Sequence, residues 1–106
     1  MAVELGPADA GSRAVVRVAE QVTLRLPENP TTGYRWQPEF DESVLRLVED
    51  RYEGAEFPRG AGGQRLWIFE PLRPGPASVK LAQRRSWESG PLSMEYAVEL
   101  DIQPSD

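Results

Sequence analysis

The residues of this chain that could do chemistry are its carboxylates, because the sequence contains no histidine and no cysteine. No Ser-His-Asp or Cys-His nucleophile can therefore be assembled, and neither histidine nor thiolate is available to bind a metal. Seventeen Asp and Glu residues remain, and paired carboxylates can hydrolyse glycosidic bonds. Most of them alternate with apolar residues, however, so that a strand would point them at water. We predict that the chain is not an enzyme and needs no metal or cofactor.

Length and charge narrow the class of partner. The 106 residues suffice for one domain, which we expect to span residues 1–106, with residues 1–12 frayed because they are small, polar and turn-prone. The net charge of −5 argues against nucleic acid and anionic membranes, which select basic surfaces. No apolar stretch approaches the ~20 residues of a membrane span. We therefore expect neither nucleic acid nor a membrane as a partner, and we expect the free chain to be a monomer.

The N-terminal residues bear on the cellular compartment of the protein. Residues 1–13 lack the basic region and apolar run of a secretory signal. The sequence as given therefore predicts a cytoplasmic protein, or a periplasmic or secreted one if a leader has been removed.

The elements that must position any functional residues follow from a hydrophobic period of two. Val22, Leu24 and Leu26 alternate with polar residues, and the alternation recurs from residue 94 to residue 103. We predict strands at 14–18, 21–26, 34–38, 44–49, 64–70, 77–84 and 94–103, with residues 51–57 either continuing or following the fourth. Short strands separated by turns predict an all-β, antiparallel β-sandwich of about seven to eight strands.

The direction of these strands brings three loops together. The loops lie within residues 27–33, 58–63 and 85–93, and two strand crossings separate each from the next. In antiparallel order, two crossings return the chain to the end from which it started. All three loops are then expected at one end of the sandwich, provided that residues 44–57 make a single crossing.

The first loop combines two rigid backbone positions with a small tip. Pro30 fixes its own φ and disfavours a helical conformation at the preceding residue. Gly33 allows a φ that a larger residue would adopt only with strain. The segment is either an ordinary well-made turn or a rigid binding loop, and local physics does not decide between them. The residues concerned are Asn29, Pro30, Thr31, Thr32, Gly33 and Tyr34.

The second loop has almost no side chains. It consists of Gly60, Ala61, Gly62 and Gly63. Such a backbone can approach another chain closely and pair with it edge to edge. Taken alone, the same composition is also typical of a flexible hairpin tip.

The third loop places a tryptophan in a polar segment rich in turn-forming residues. Trp87 follows Arg84, Arg85 and Ser86. Tryptophan and arginine are the types most enriched at binding hot spots, although Trp87 could also pack into the core. Core packing is the better interpretation for Trp36 and Trp67, which lie in alternating strands.

Together the three loops resemble the chagasin family of cysteine-protease inhibitors. The motifs of that family are Asn-Pro-Thr-Thr-Gly-Tyr/Phe-x-Trp, then Gly-x-Gly-Gly, then Arg-Pro-Trp/Phe. Residues 29–36 match the first in full and residues 60–63 match the second. The third motif reads Arg85, Ser86, Trp87, with serine in place of the usual proline. The likeness covers roughly residues 14–103.

The resemblance implies an immunoglobulin-like sandwich that reversibly blocks papain-like cysteine proteases. By this likeness the 29–34 loop would lie over the catalytic cysteine, with Thr31 and Thr32 at its tip. The 60–63 loop would pair main chain to main chain with the substrate-binding strand of the protease. The 85–87 loop would lie on the other side, with Trp87 on an aromatic surface.

One alternative from another class is an immunoglobulin-like adhesion or binding module for carbohydrate or for another protein. The same exposed tryptophan and glycine loop could contact such a ligand. A sugar platform, however, favours flat aromatic rings at the loop ends, and only Trp87 is clearly available for that role. The small tip formed by Thr31 and Thr32 favours the inhibitor.

Overall fold

Two four-stranded sheets pack face to face in the computed structural model, which describes residues 3–28, 34–54, 63–85 and 94–105. One sheet has the order β1-β3-β6-β5 and the other the order β2-β8-β7-β4. A 3-10 turn, Pro7–Asp9, lies between β1 and β2. The predicted immunoglobulin-like β-sandwich is confirmed. Within the described ranges the strands are β1 Val3–Leu5, β2 Arg13–Arg17, β3 Val22–Glu28, β4 Tyr34–Glu39, β5 Leu45–Gly54, β6 Gly63–Pro71, β7 Gly75–Arg85 and β8 Met94–Gln103.

The core lies between the two sheets and follows the period of two. Both strand tryptophans are buried as predicted, Trp36 at 6% exposure and Trp67 at 0%. In β8 every second residue from Tyr96 to Ile102 is buried, while the intervening residues face solvent or are half-buried. The inward side chains include Val22, Leu24, Leu26, Trp36, Trp67, Phe69, Val79, Leu81, Tyr96, Val98, Leu100 and Ile102.

The N-terminal segment differs from the expectation of fraying. Residues Val3–Leu5 pair in parallel with β3, in the register Val3↔Val22 to Leu5↔Leu24. The Tyr96 hydroxyl donates a hydrogen bond to the Gly6 carbonyl at 2.8 Å. Burial, and to a smaller extent the charge of Asp9, raises the pKa of Tyr96 to about 12, so the hydroxyl remains a donor at ordinary pH. Residues 3–12 thus make tertiary contacts that their own pattern is too short to predict.

Pairing is antiparallel except where the two N-terminal strands join the sheets. β1 lies parallel to β3, and β2 lies parallel to β8. All other strand pairs are antiparallel. β5 runs without interruption from Leu45 to Gly54, with one register irregularity between Leu47 and Glu49. Residues 45–54 therefore make the single crossing on which the predicted loop arrangement depends.

No helix in the described part of the chain is long and apolar enough to cross a membrane.

Candidate functional site

In the first sheet, the strand ends next to two of the predicted loops lie side by side. Glu28, the last residue of β3, is paired with Gly63, the first residue of β6. Gly63 is also paired with Gly54, the last residue of β5. The chain therefore leaves and re-enters this sheet at one end.

The second sheet has the same arrangement for the other loop ends. Tyr34, the first residue of β4, is paired with Arg85, the last residue of β7. Gln83 is paired with Met94, the first residue of β8. The end of β7 thus lies beside the start of β4, and the start of β8 lies on the other side of β7.

Hydrogen bonds from Trp36 join the two sheets at this end. Its indole Nε1–H donates to the Pro27 carbonyl at 2.9 Å, and its backbone N–H donates to Glu28 Oε2 at 3.2 Å. β3 belongs to the first sheet and β4 to the second, so both bonds cross the sandwich. The strand ends that bound all three loops consequently lie at one end of the molecule, which we call the loop end.

The predicted site residues fall into two groups with respect to the described structure. Tyr34, Gly63 and Arg85 begin or end strands at the loop end, and the register brings Tyr34 opposite Arg85. The remaining predicted site residues lie outside the described residues: Asn29, Pro30, Thr31, Thr32, Gly33, Gly60, Ala61, Gly62, Ser86 and Trp87.

A charged network, of which Glu28 is the buried member, lies directly below the loop end and was missed by sequence reasoning. Glu28 is the one buried charged residue in the described ranges, with its side chain 2% exposed. Its Oε1 lies 3.6 Å from Nη1 of Arg65. Arg65 also donates from Nε to Asp50 Oδ1 on β5. The hydrogen bond to Asp50, together with the charges of Asp50 and Glu28, raises the pKa of Arg65 and keeps it a fixed cation.

The sequence does carry a signal for this network. Continuing the alternation of Leu24 and Leu26 across Pro27 places Glu28 at the next inward position. Arg65 holds the inward position before Trp67, since β6 buries Trp67 and Phe69. A buried carboxylate must be paired and hydrogen-bonded, so an inward acid predicts an inward base nearby. The strand predicted at 21–26 stops short of Glu28, whereas β3 continues to it, and the pair was therefore missed.

This arrangement is suited to holding the backbone of the strand ends in place and not to catalysis. The Glu28 carboxylate accepts from the backbone of Trp36 and pairs with Arg65, so both of its oxygens are engaged within the fold. No group of three or more metal-binding side chains occurs among residues that the structure describes. What the loop end offers is a set of strand termini held in fixed relation to each other.

Comparison with known proteins identifies the family to which this chain belongs. The sequence profile described as "Chagasin family peptidase inhibitor I42" matches residues 15–100. Amoebiasin-2 of Entamoeba histolytica is 34% identical over 83 residues, which are 73% of this chain and 68% of that protein. Chagasin of Trypanosoma cruzi is 32% identical over 101 residues, covering 86% of this chain and 87% of the relative.

Solved structures agree on the fold. The crystal structure of the cysteine protease inhibitor EhICP2 from Entamoeba histolytica matches with a TM-score of 0.86 at 22% identity, covering 95% of this chain and 94% of that one. The inhibitor PbICP-C, solved in complex with falcipain-2, matches with a TM-score of 0.60 at 13% identity, over 97% and 99% of the two chains.

Proposed function

Because the chain belongs to the chagasin family of peptidase inhibitors, and is thus an inhibitor of cysteine proteases and not an enzyme, we propose that it reversibly closes the active-site cleft of papain-like proteases with three loops. The loops are residues 29–34, 60–63 and 85–87. The observation that carries the proposal is the convergence of the strand ends that bound these loops at one end of the sandwich. Only loops at a common end can enter one cleft together.

The topology supports a central place for the 29–34 loop. It connects β3 of the first sheet to β4 of the second, so it crosses from sheet to sheet. The 60–63 loop joins two strands of the first sheet, and the 85–87 loop joins two strands of the second. This connectivity supports the proposal that the bridging loop binds between the other two, over the catalytic cysteine, with Thr31 and Thr32 as the residues of its tip.

The loop compositions support the assigned contacts. Pro30 and Gly33 restrict the central loop in advance, which reduces the ordering cost that is subtracted from affinity. The glycines at 60, 62 and 63 leave a backbone free to pair with the substrate-binding strand of the protease. Trp87 provides an aromatic anchor on the opposite side. A standard interface of this class buries about 800 Å² on each partner, which three loops can supply.

We further propose a free monomer. An edge strand invites pairing with another copy unless it is short or charged. Edge strands β1, β2 and β4 are short, and the long edge strand β5 carries several charged side chains along its length. These features oppose edge-to-edge association.

The direct test is titration of papain with the purified chain. We expect stoichiometric loss of peptidase activity that returns on dilution, with the inhibitor recovered uncleaved by mass spectrometry. Trypsin, a serine protease, serves as the control and should keep its full rate. Papain that retains its full rate in a large excess of the chain would contradict the proposal, and glycan binding without inhibition would favour the carbohydrate-binding alternative.

Restoring the family proline should tighten the complex. Ser86→Pro reduces the conformational freedom of the third loop before docking, which is worth about 0.5–1 kcal/mol when the backbone is compatible. We expect the inhibition constant for papain to fall by roughly 2- to 5-fold. Ser105→Pro, beyond the far end of β8, is the matched control and should leave the constant unchanged. A weaker complex from Ser86→Pro would mean that the backbone at residue 86 departs from the family geometry.

A further inference from the structure

We propose that Glu28 and Arg65 are positioning residues of the inhibitor, which together hold the bases of the central and glycine loops in the arrangement needed for docking. This inference rests on the proposed function, because it concerns how the same loops are held. Both residues lie within the described structure, and no family motif includes either of them.

Glu28 ties the base of the central loop on both sides. It is the last residue of β3, so the 29–34 loop begins immediately after it. One carboxylate oxygen accepts the backbone N–H of Trp36, two residues inside β4 and therefore just beyond the other end of that loop. The other oxygen faces the Arg65 guanidinium. A single side chain thus fixes the exit and the return of the central loop.

Arg65 extends the connection to the glycine loop. It lies two residues after Gly63, at the start of β6, where the chain returns from that loop. Its hydrogen bond to Asp50 joins β6 to β5, the strand that leads into the loop. Through Glu28, Arg65 and Asp50, the bases of both loops belong to one charged network. A shift at one base therefore disturbs the other.

Stability alone does not explain charged groups at these positions. The Glu28 side chain is buried and that of Arg65 is 22% exposed. Replacing a buried ion pair with apolar residues of similar volume is often neutral or stabilising, and exposed pairs contribute little, so a half-buried pair adds little stability over an apolar one. An ion pair does, however, fix the relative position of its two strands, because ion pairs and hydrogen bonds have specific partners and apolar contacts do not. The Glu28 side chain, at 2% exposure, cannot reach a protease. Any effect of Glu28 on affinity must therefore act through the loops.

The test compares Glu28→Gln, Arg65→Met and the double variant with the parent chain. Glutamine keeps the shape of Glu28 and an oxygen for the Trp36 N–H, but it removes the charge that faces Arg65. Measured well below the melting temperature, where circular dichroism shows every variant folded, each single variant should raise the papain inhibition constant about 10-fold, mainly through faster dissociation. The inhibition constant of the double variant should be close to that of either single variant, because both substitutions remove the same ion pair.

Glu70→Gln is the matched control. It removes the Arg46–Glu70 ion pair of 3.3 Å, which joins β5 to β6, the strands that Asp50 and Arg65 also join, at the end away from the loops. It should leave the inhibition constant unchanged. If Glu28→Gln does not fold, Arg65→Met alone provides the test. The Arg65 side chain is 22% exposed, so a substitution there disturbs the core less.

Two results would overturn the inference. In the first, the parent inhibits papain and the folded variants inhibit it equally well, even if they melt at lower temperature; the pair would then be structural only. In the second, the effects of the two single variants add fully in the double variant. Failure of the parent itself to inhibit papain is distinguishable, since it would defeat the proposed function as well as this inference.

Discussion

Replacing Trp36 with alanine is expected to lower the free energy of unfolding by about 3–5 kcal/mol. The indole is buried between the sheets, so its removal leaves a cavity that the neighbouring strands cannot close completely. It also removes the donor to the Pro27 carbonyl, a bond that joins β4 to β3. For a domain of this size, the melting temperature measured by circular dichroism should fall by on the order of 10–30 °C.

Trp36→Phe separates the two contributions. Phenylalanine keeps most of the apolar volume but cannot donate to Pro27, so we expect a smaller loss, on the order of 1–2 kcal/mol. Urea unfolding should show the same ranking with little change in slope. Should Trp36→Ala unfold within 1 kcal/mol of the parent, the indole would not be the core element that its burial indicates.

The fold was predictable because one physical signal recurs along the chain. A strand that buries one face must alternate, and the alternation of β3 and β8 can be read directly. The short strand β1 was not predicted from this alternation. Its three residues, Val3–Leu5, cannot establish a period by themselves, and they are ordered by pairing with β3. Local pattern identifies strands that are long enough to be amphipathic, while short edge strands depend on an available neighbour.

The common end of the three loops was predictable for a different reason. It follows from strand direction alone, and needs neither register nor side-chain packing. Its one open condition was whether residues 44–57 make a single crossing; Leu45–Gly54 form one continuous strand, whose last residue pairs with the first residue of β6. The roles of individual loop residues have another origin, since they rest on the family motifs, and they stay predictions here.

The charged network below the loop end was not predicted, because it depends on the register between distant strands. Glu28 and Arg65 come together only when β3 and β6 pair with Leu26 opposite Arg65. No local pattern specifies that register. The strand predicted at 21–26 also ended before Glu28, whereas β3 continues through Pro27, because a proline is tolerated in a strand where it donates no ladder bond. The part of the site that sets the geometry of the loops was thus harder to read than the loops themselves.

Replacing Trp87 with alanine is expected to raise the papain inhibition constant by about 30-fold, which corresponds to the ~2 kcal/mol of a hot-spot tryptophan. Trp36 and Trp67 fill the core, whereas Trp87 follows the end of β7 at the loop end, in a polar segment. The melting temperature should stay near that of the parent, in contrast to Trp36→Ala. Trp87→Phe, which the family motif permits, should retain most of the affinity. If Trp87→Ala instead inhibits papain like the parent, or unfolds as readily as Trp36→Ala, then Trp87 is not a contact with the protease and the third loop has another role.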